Sequence, residues 1–185
     1  DFPKTGLPEI AMVGRSNVGK SSLINALVKK TIARTSAAPG KTRLANYYLI
    51  QSPIPTPQSP DFYLVDLPGY GYARGGEATA REFGILTGQY FELEPGTPRR
   101  LAGVLHLIDA RHPELPQDAA AHQWIVRTGL PLAIVATKMD KLKQAEQTRT
   151  VKQLEAIYEL PVLPESVLKQ EGMTDIWKVI RQWLS

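Results

Sequence analysis

Gly14-Arg15-Ser16-Asn17-Val18-Gly19-Lys20-Ser21 has the spacing GxxxxGK(S/T) of a phosphate-binding loop. Glycines in such a loop let successive backbone N–H groups converge on phosphate oxygens, and the following helix points its positive end at them. An apolar run at 10–13 precedes the loop, and apolar residues with helical spacing follow it at 22–28. This strand–loop–helix context is the one that the motif requires, so the sequence predicts a nucleotide phosphate site in an α/β fold.

The residues of this loop have separate expected roles. Lys20 should reach the β and γ phosphates, and the Ser21 hydroxyl should bind Mg²⁺. The predicted nucleotide contacts in this region are Gly14, Arg15, Ser16, Asn17, Val18, Gly19, Lys20, Ser21 and Ser22.

Composition limits the class of protein. The 185 residues, 43% hydrophobic and 22% charged, are enough for one domain with a core, and we expect a single domain over 1–185. Cysteine is absent and the three histidines lack metal-site spacing, which excludes a disulfide framework and a thiolate zinc site. No stretch resembles a membrane span or a signal peptide, so we expect a cytoplasmic monomer without a membrane partner.

Positive charge is concentrated in one span. Residues 10–60 contain no Asp or Glu and seven basic residues, against a net charge of +4 for the whole chain. A triphosphate needs only one or two of them. The surplus indicates either a second polyanion such as RNA or a solvated basic face, and the composition does not decide between them.

Strands and helices alternate along the chain, which predicts a parallel sheet covered on both faces. An apolar stripe on the last helix is interpreted as core packing. The predicted strands are 10–13, 44–51, 62–65, 103–108, 132–136 and 162–163, and the predicted helices are 22–28, 78–92, 117–127, 144–159 and 174–184.

Asp66-Leu67-Pro68-Gly69 ends the third predicted strand in the pattern DxxG. A carboxylate at this sheet edge can steady Mg²⁺, directly or through water, and Gly69 can place a backbone N–H on the γ-phosphate. Many GTPases carry a water-orienting glutamine after this motif, whereas this chain has Tyr70, so we expect slow unassisted hydrolysis. Arg74 is either an internal arginine finger or a basic surface residue.

Thr137-Lys138-Met139-Asp140 follows the strand at 132–136 in the form (N/T)KxD, which is specific for guanine. The Asp140 carboxylate can accept hydrogen bonds from N1–H and the 2-amino group, which adenine does not present, while the Lys138 stem packs over the base. After the last strand, Ser166-Val167-Leu168 can offer a backbone N–H to the guanine O6. These residues predict GTP and GDP as ligands in preference to adenine nucleotides.

The basic segment 29–43 has no apolar periodicity and is interpreted as a long switch loop. Within Gly40-Lys41-Thr42, the Thr42 hydroxyl is the expected second Mg²⁺ ligand, present only with the γ-phosphate, and Thr31, Thr35 and Ser36 are its alternatives. The proline-rich stretch 52–60 is either a hairpin tip or a PxxP ligand for another domain.

GRSNVGKSS, PGKTR, DLPGYGYA, IDARH, TKMD and SVLKQEG, in this order, resemble the EngB (YihA/YsxC) family of ribosome-biogenesis GTPases, within the Era-like group. The resemblance implies a Ras-like fold with six strands, mostly parallel, and one antiparallel edge strand at 44–51. It also implies GTP hydrolysis with Mg²⁺, late assembly of the large ribosomal subunit through rRNA and ribosomal proteins, and a role in cell division and septation. Two departures are the long proline-rich tip and Ser166-Val167 in place of the commoner Ser-Ser.

Asn17 has two interpretations. Related GTPases with a hydrophobic residue after DxxG use an asparagine here to hold K⁺, whose charge near the β–γ bridge replaces an arginine finger. Alternatively, Asn17 caps the turn. Under the first interpretation the catalytic residues are Asn17, Lys20 and Gly69.

Two functions from different classes are compatible with these features. One is a GTPase switch that acts in ribosome assembly. The other is a regulatory GTP-dependent binding module that recruits a protein or membrane partner, with hydrolysis incidental. The basic span favours the first.

Overall fold

The computed structural model describes residues 3, 5–33, 45–51, 60–71, 87–93 and 96–185. Within them lie six strands: β1 (Pro8–Gly14), β2 (Asn46–Ile50), β3 (Phe62–Asp66), β4 (Arg100–Asp109), β5 (Leu132–Thr137) and β6 (Val162–Pro164). Four helices accompany them: α1 (Lys20–Val28), α2 (Pro116–Val126), α3 (Gln144–Tyr158) and α4 (Met173–Leu184). Residues 87–91 are also helical, and a 3₁₀ turn spans Met139–Lys141.

The strands form one sheet in the order β2-β3-β1-β4-β5-β6. All neighbouring pairs are parallel except β2 and β3, which are antiparallel with Asn46 opposite Asp66. The predicted fold, mostly parallel with one antiparallel edge strand, is therefore confirmed. Because parallel strands share a direction, β1, β3, β4 and β5 end at the same edge of the sheet.

The core lies on both faces of the sheet, as the alternation of side chains along a strand requires. On β1, Ile10 and Met12 pack in a cluster with α1 and α4, while Ala11 and Val13 pack in a second cluster with α2. A third cluster joins β4 and β5 to α3. Strands buried on both faces read as continuous apolar runs, which is how 10–13 and 132–136 appear in the sequence.

The last helix, α4, packs against the core as the sequence predicts. Ile176, Ile180 and Leu184 are buried in the first cluster, and Trp177 and Trp183 pack partly buried against it. The apolar stripe thus belongs to the core.

Element boundaries differ most at β4, predicted as 103–108 and observed as Arg100–Asp109. The prediction missed the last residue because Asp109 is polar, although its side chain is buried at the sheet edge. The predictions for 52–59, for the switch loop beyond residue 33, for Arg74 and for the helix before residue 87 lie outside the described residues. No helix within the described part of the chain combines the length and the apolar character needed to cross a membrane.

Candidate nucleotide-binding site

The phosphate-binding loop connects β1 to α1 through two left-handed residues, Asn17 (φ 63°) and Gly19 (φ 118°). A Cβ on Gly19 would meet no atom within 4 Å, so the backbone conformation and not the space favours glycine there. Gly14 is different, since a Cβ would lie 2.7 Å from Val18 Cγ1 and 2.9 Å from the Leu107 carbonyl oxygen. The helix that follows has no side-chain cap and no acidic residue in its first turn, which leaves its N–H groups for an anion.

Lys20 lies over this loop. Its ammonium donates to the carbonyl oxygens of Gly14 at 3.2 Å and Arg15 at 3.4 Å, and the residue is 8% exposed. Burial lowers the pKa of Lys20, and the charge of Asp66 opposes that shift. A desolvated ammonium beside uncapped backbone N–H groups would bind phosphate oxygens strongly.

The predicted magnesium ligands Ser21 and Asp66 meet at the end of β3. The Ser21 hydroxyl donates to Asp66 Oδ2 at 3.0 Å, whereas Asp66 Oδ1 is buried without a hydrogen-bond partner among the described residues. Burial raises the pKa of Asp66, while Lys20 and the Ser21 hydrogen bond oppose the shift. An orphaned carboxylate oxygen beside a hydroxyl fits a hard cation such as Mg²⁺.

The described residues contain no group of three or more His, Cys, Asp or Glu side chains that could hold a metal by itself. Mg²⁺ usually keeps several waters and is bound through one or two protein groups together with substrate phosphates.

Gly69 lies directly against the phosphate-binding loop. A Cβ at this position would be 2.7 Å from both the N and the Cα of Ser16, so only glycine allows the approach. The following residue closes the contact, because Ser16 N–H donates to the Tyr70 carbonyl oxygen at 2.9 Å and Tyr70 N–H donates to the Gly14 carbonyl oxygen at 3.4 Å. The predicted γ-phosphate contact is therefore next to the residues predicted to bind the other phosphates.

The predicted base-binding residues come from two neighbouring loops beyond β5 and β6. Asp140 Oδ1 accepts a hydrogen bond from the Ser166 hydroxyl at 2.8 Å, and Ser166 Oγ in turn accepts from Lys169 N–H at 3.1 Å. Although burial acts to raise the pKa of Asp140, hydrogen bonding to Ser166 and the charge of Lys141 hold it below its usual value. Asp140 is thus an ionised acceptor at neutral pH.

Lys138 joins the base loop to the phosphate loop. Its ammonium donates to the Asn17 carbonyl oxygen at 2.8 Å and to Asp109 Oδ2 at 2.9 Å. Thr137, fully buried, makes a parallel link by donating its hydroxyl to the Val18 carbonyl oxygen at 2.8 Å. The Thr137 side chain therefore holds the phosphate-binding loop in place through the Val18 carbonyl oxygen.

The remaining predicted contacts can act only through particular atoms. The Val18 side chain is buried in the core and Val167 packs partly buried against it, so their backbones are what a nucleotide could reach. Leu168 is 75% exposed, and Ser22 is partly buried at the start of α1. Gly40, Lys41 and Thr42 lie outside the described residues, so the second magnesium ligand stays a prediction.

Comparison with known proteins agrees with this geometry. The family model described as "50S ribosome-binding GTPase" matches residues 9–138. A probable GTP-binding protein EngB from Lactobacillus acidophilus is 40% identical over 190 residues, covering 100% of this chain and 91% of the relative. One from Lactobacillus helveticus is 44% identical over 176 residues, covering 95% of this chain and 84% of the relative.

The chain belongs to the EngB family of GTP-binding proteins.

Solved structures show the same fold. A probable EngB crystal structure has a TM-score of 0.70 at 21% identity, covering 95% of this chain and 98% of that one. Aquifex aeolicus Era bound to GDP and aluminium fluoride has a TM-score of 0.76 at 23% identity, and this chain covers 56% of the Era chain. The match to Era shows that the two chains share a fold.

Three residues of this EngB chain were missed by sequence reasoning. The Asp109 carboxylate accepts hydrogen bonds from the Lys138 ammonium and from the Arg111 guanidinium, the latter at 2.9 and 2.7 Å. Burial alone would raise the pKa of Asp109, but the hydrogen bonds from Arg111 and Lys138 hold that pKa well below its usual range. Its place at the carboxyl end of a parallel strand, like that of Asp66, was the available signal. Asp118 and Glu165, both buried, carried no signal in local spacing.

Proposed function

We propose that this EngB family member is a Mg²⁺-dependent, GTP-hydrolysing switch that acts in assembly of the large ribosomal subunit. The observation that carries the nucleotide part is the meeting of Lys20, Asp66 and Gly69 at the sheet edge where Lys138 also binds the phosphate loop. The residues predicted to bind phosphate and those predicted to bind guanine, which come from opposite halves of the chain, thereby form one continuous site.

In this site the bound Mg²⁺ would neutralise charge on the phosphate oxygens. Ser21 and Asp66 hold the side-chain oxygens that fit it, and Lys20 supplies a second positive charge. Asp140, ionised and oriented by Ser166, accepts the two guanine N–H groups, and Gly69 offers an N–H to the γ-phosphate. Recognition of the terminal phosphate by a loop is what allows GTP and GDP states to differ in shape.

Hydrolysis is expected to be slow without assistance. The side chain after DxxG, Tyr70, is 4% exposed and its hydroxyl is bonded to His106 and Asp118 in the interior. It therefore does not orient an attacking water as glutamine does in other GTPases. Catalytic help must come from another group, and we propose K⁺ held by Asn17 as its source.

The ribosomal partner is supported by charge and by relatives. Of the seven basic residues at 10–60, Lys20 and Arg15 are engaged in the site, whereas Lys29 and Lys30 are exposed at the end of α1. The matched family model is described as ribosome-binding, and one Era neighbour was solved with MgGDPNP and a segment of 16S ribosomal RNA. Two exposed lysines at the end of the helix that follows the phosphate-binding loop suit a phosphate-rich partner.

Sedimentation of cell lysate through sucrose gradients tests this proposal. With a non-hydrolysable GTP analogue, the protein should migrate with the large subunit or its precursors, and with GDP it should remain near the top. Raising the salt should release it, because contacts to phosphates release counterions on binding. Replacing Lys29 and Lys30 by Gln should weaken migration, whereas replacing the exposed Lys178 on α4 should not.

A protein that stays at the top of the gradient with every nucleotide contradicts the assembly role. That result, with nucleotide binding intact, would favour the regulatory binding module that recruits a protein or membrane partner.

A further inference from the structure

A chain of buried polar side chains runs behind the phosphate-binding loop. The Tyr70 hydroxyl donates to Asp118 Oδ1 at 2.6 Å and is 2.8 Å from His106 Nε2. The same Asp118 oxygen is 3.5 Å from Arg15 Nε. Asp118 and His106 are fully buried, so these contacts are made out of water, where each is worth more than at the surface.

The direction of the hydrogen bonds follows from the donors available. Tyr70 has one hydroxyl proton, and it is given to Asp118. His106 must then donate its Nε2–H to the Tyr70 oxygen, which leaves Nδ1 as the unprotonated nitrogen. Two observations agree: Nδ1 has no partner among the described residues, and burial lowers the pKa of His106 to about 3, which keeps the ring neutral.

These side chains connect two elements, β4 and α2, to the phosphate-binding loop. His106 is on β4, Asp118 is in the first turn of α2, and Arg15 belongs to the phosphate-binding loop itself. Tyr70 is the residue after Gly69, and its backbone is bonded in both directions to that loop, at Ser16 and Gly14. A tyrosine fixed at its hydroxyl and at its backbone cannot move without moving Gly69.

We propose that Tyr70 is a positioning residue for γ-phosphate recognition, whose hydroxyl fastens the loop carrying Gly69 to Asp118 on α2. Tyr70, which stands where other GTPases carry a glutamine, thus acts from the protein interior by fixing the direction of the Gly69 N–H. The proposal rests on the GTP binding proposed above and specifies how the chain distinguishes GTP from GDP.

The physical basis is the difference between the two ligands. GDP has no γ-phosphate and does not use the Gly69 N–H, so a loosened Gly69 loop should leave GDP affinity unchanged. A GTP analogue gains that hydrogen bond only if the loop is held in place, or else pays to order it. A purely structural defect would weaken both nucleotides alike.

Tyr70→Phe tests the proposal because it keeps the buried ring and removes the hydroxyl. Affinity for a non-hydrolysable GTP analogue with Mg²⁺ should fall by about three- to tenfold, as expected for one hydrogen bond, while GDP affinity changes by less than about twofold. The matched control is Tyr90→Phe: Tyr90 is 1% exposed, and the acidic group that raises the pKa of its hydroxyl, after burial, is Glu9 near the start of β1, at the opposite end of that strand from the phosphate loop. It should leave the ratio of the two affinities unchanged.

Two substitutions of Asp118 separate positioning from folding. Asp118→Ala removes the acceptor and should reproduce the selective loss of GTP-analogue affinity. Asp118→Asn keeps an acceptor at Oδ1 and should retain most of the wild-type ratio. These two variants carry the test if Tyr70→Phe does not fold.

A parallel loss of both affinities in Tyr70→Phe, or no loss in either, would overturn the proposal. Absence of guanine nucleotide binding in the wild-type chain would instead overturn the proposed function, so the two failures are distinguishable.

Discussion

At the scale of single residues, the chemistry of the site depends on polar groups placed at strand ends and taken out of water. Asp66, Asp109 and Thr137 are the last residues of β3, β4 and β5, and all are at most 3% exposed. Each is fixed by a short contact: to Ser21, to Lys138 and to the Val18 carbonyl oxygen. A rigid strand end therefore positions each functional group more closely than a free loop would.

Glu165 leads to a pH prediction. It lies between β6 and Ser166, its Oε2 has no partner among the described residues, and burial raises its pKa from 4.5 to about 7. The folded state thus holds a proton that the unfolded chain releases near pH 4.5. The contribution of Glu165 to the free energy of unfolding is therefore fully present below pH 4.5. It is lost as the pH rises toward 7.

Glu165→Gln removes this titration. The variant should gain stability relative to wild type as pH rises from 5 to 7.5, measured as the difference between the two urea midpoints at each pH. Because both proteins share every other titrating group, the difference isolates Glu165. Profiles that stay parallel across the range would show that Glu165 ionises as it does in the unfolded chain.

Asn17 leads to a prediction about monovalent cations. Its backbone is left-handed within the phosphate loop, and its carbonyl oxygen accepts a hydrogen bond from Lys138, which helps to hold the main chain there. We expect faster GTP turnover in K⁺ than in Na⁺ at equal ionic strength. Asn17→Ala should abolish the difference and change nucleotide affinity by less than about tenfold. Equal wild-type rates in both salts, with and without ribosomal particles, would assign the catalytic help to a partner.

At the scale of elements, the close approach of α4 to the sheet depends on a glycine in β4. A Cβ on Gly103 would lie 2.6 Å from Cδ2 of the Trp183 ring, and Trp183 packs against the core cluster that includes Ile10 and Leu105. No local pattern around residue 103 reveals this contact, because its partner is at the other end of the sequence.

Gly103→Ala should destabilise the protein by about 1–3 kcal/mol, because the added methyl group overpacks the interface and displaces Trp183. Gly88→Ala is the matched control. Gly88 lies in the helical segment 87–91 with nothing closer than 4.0 Å to its added Cβ, so alanine should be neutral or stabilising there. Equal urea midpoints for the two variants would contradict the packing described.

At the scale of the whole molecule, the features that could be predicted from the sequence are those whose residues lie close together along the chain. The β1–loop–α1 unit and the base loop were predictable because each places several functional residues within one short motif. The links that join these motifs were not: Lys138 to Asp109 spans 29 residues, Tyr70 to Asp118 spans 48, and Thr137 to Val18 spans 119. Such contacts depend on strand order, which alternation of elements does not specify. Thr42 and the proline-rich stretch stay predictions.

The central claim is that these distant segments form one guanine nucleotide site, and nucleotide specificity tests it most directly. Titrations of the purified chain with Mg²⁺ and with GDP, XDP or ADP should show tight binding of GDP alone. Asp140→Asn should lose several kcal/mol of GDP affinity, about 1.5–3 for each charge-assisted hydrogen bond, because an amide N–H₂ then faces a guanine donor. The same variant should prefer XDP, whose oxygen replaces the 2-amino group. Unchanged GDP affinity in Asp140→Asn, or equal binding of ADP by the wild type, would contradict the account.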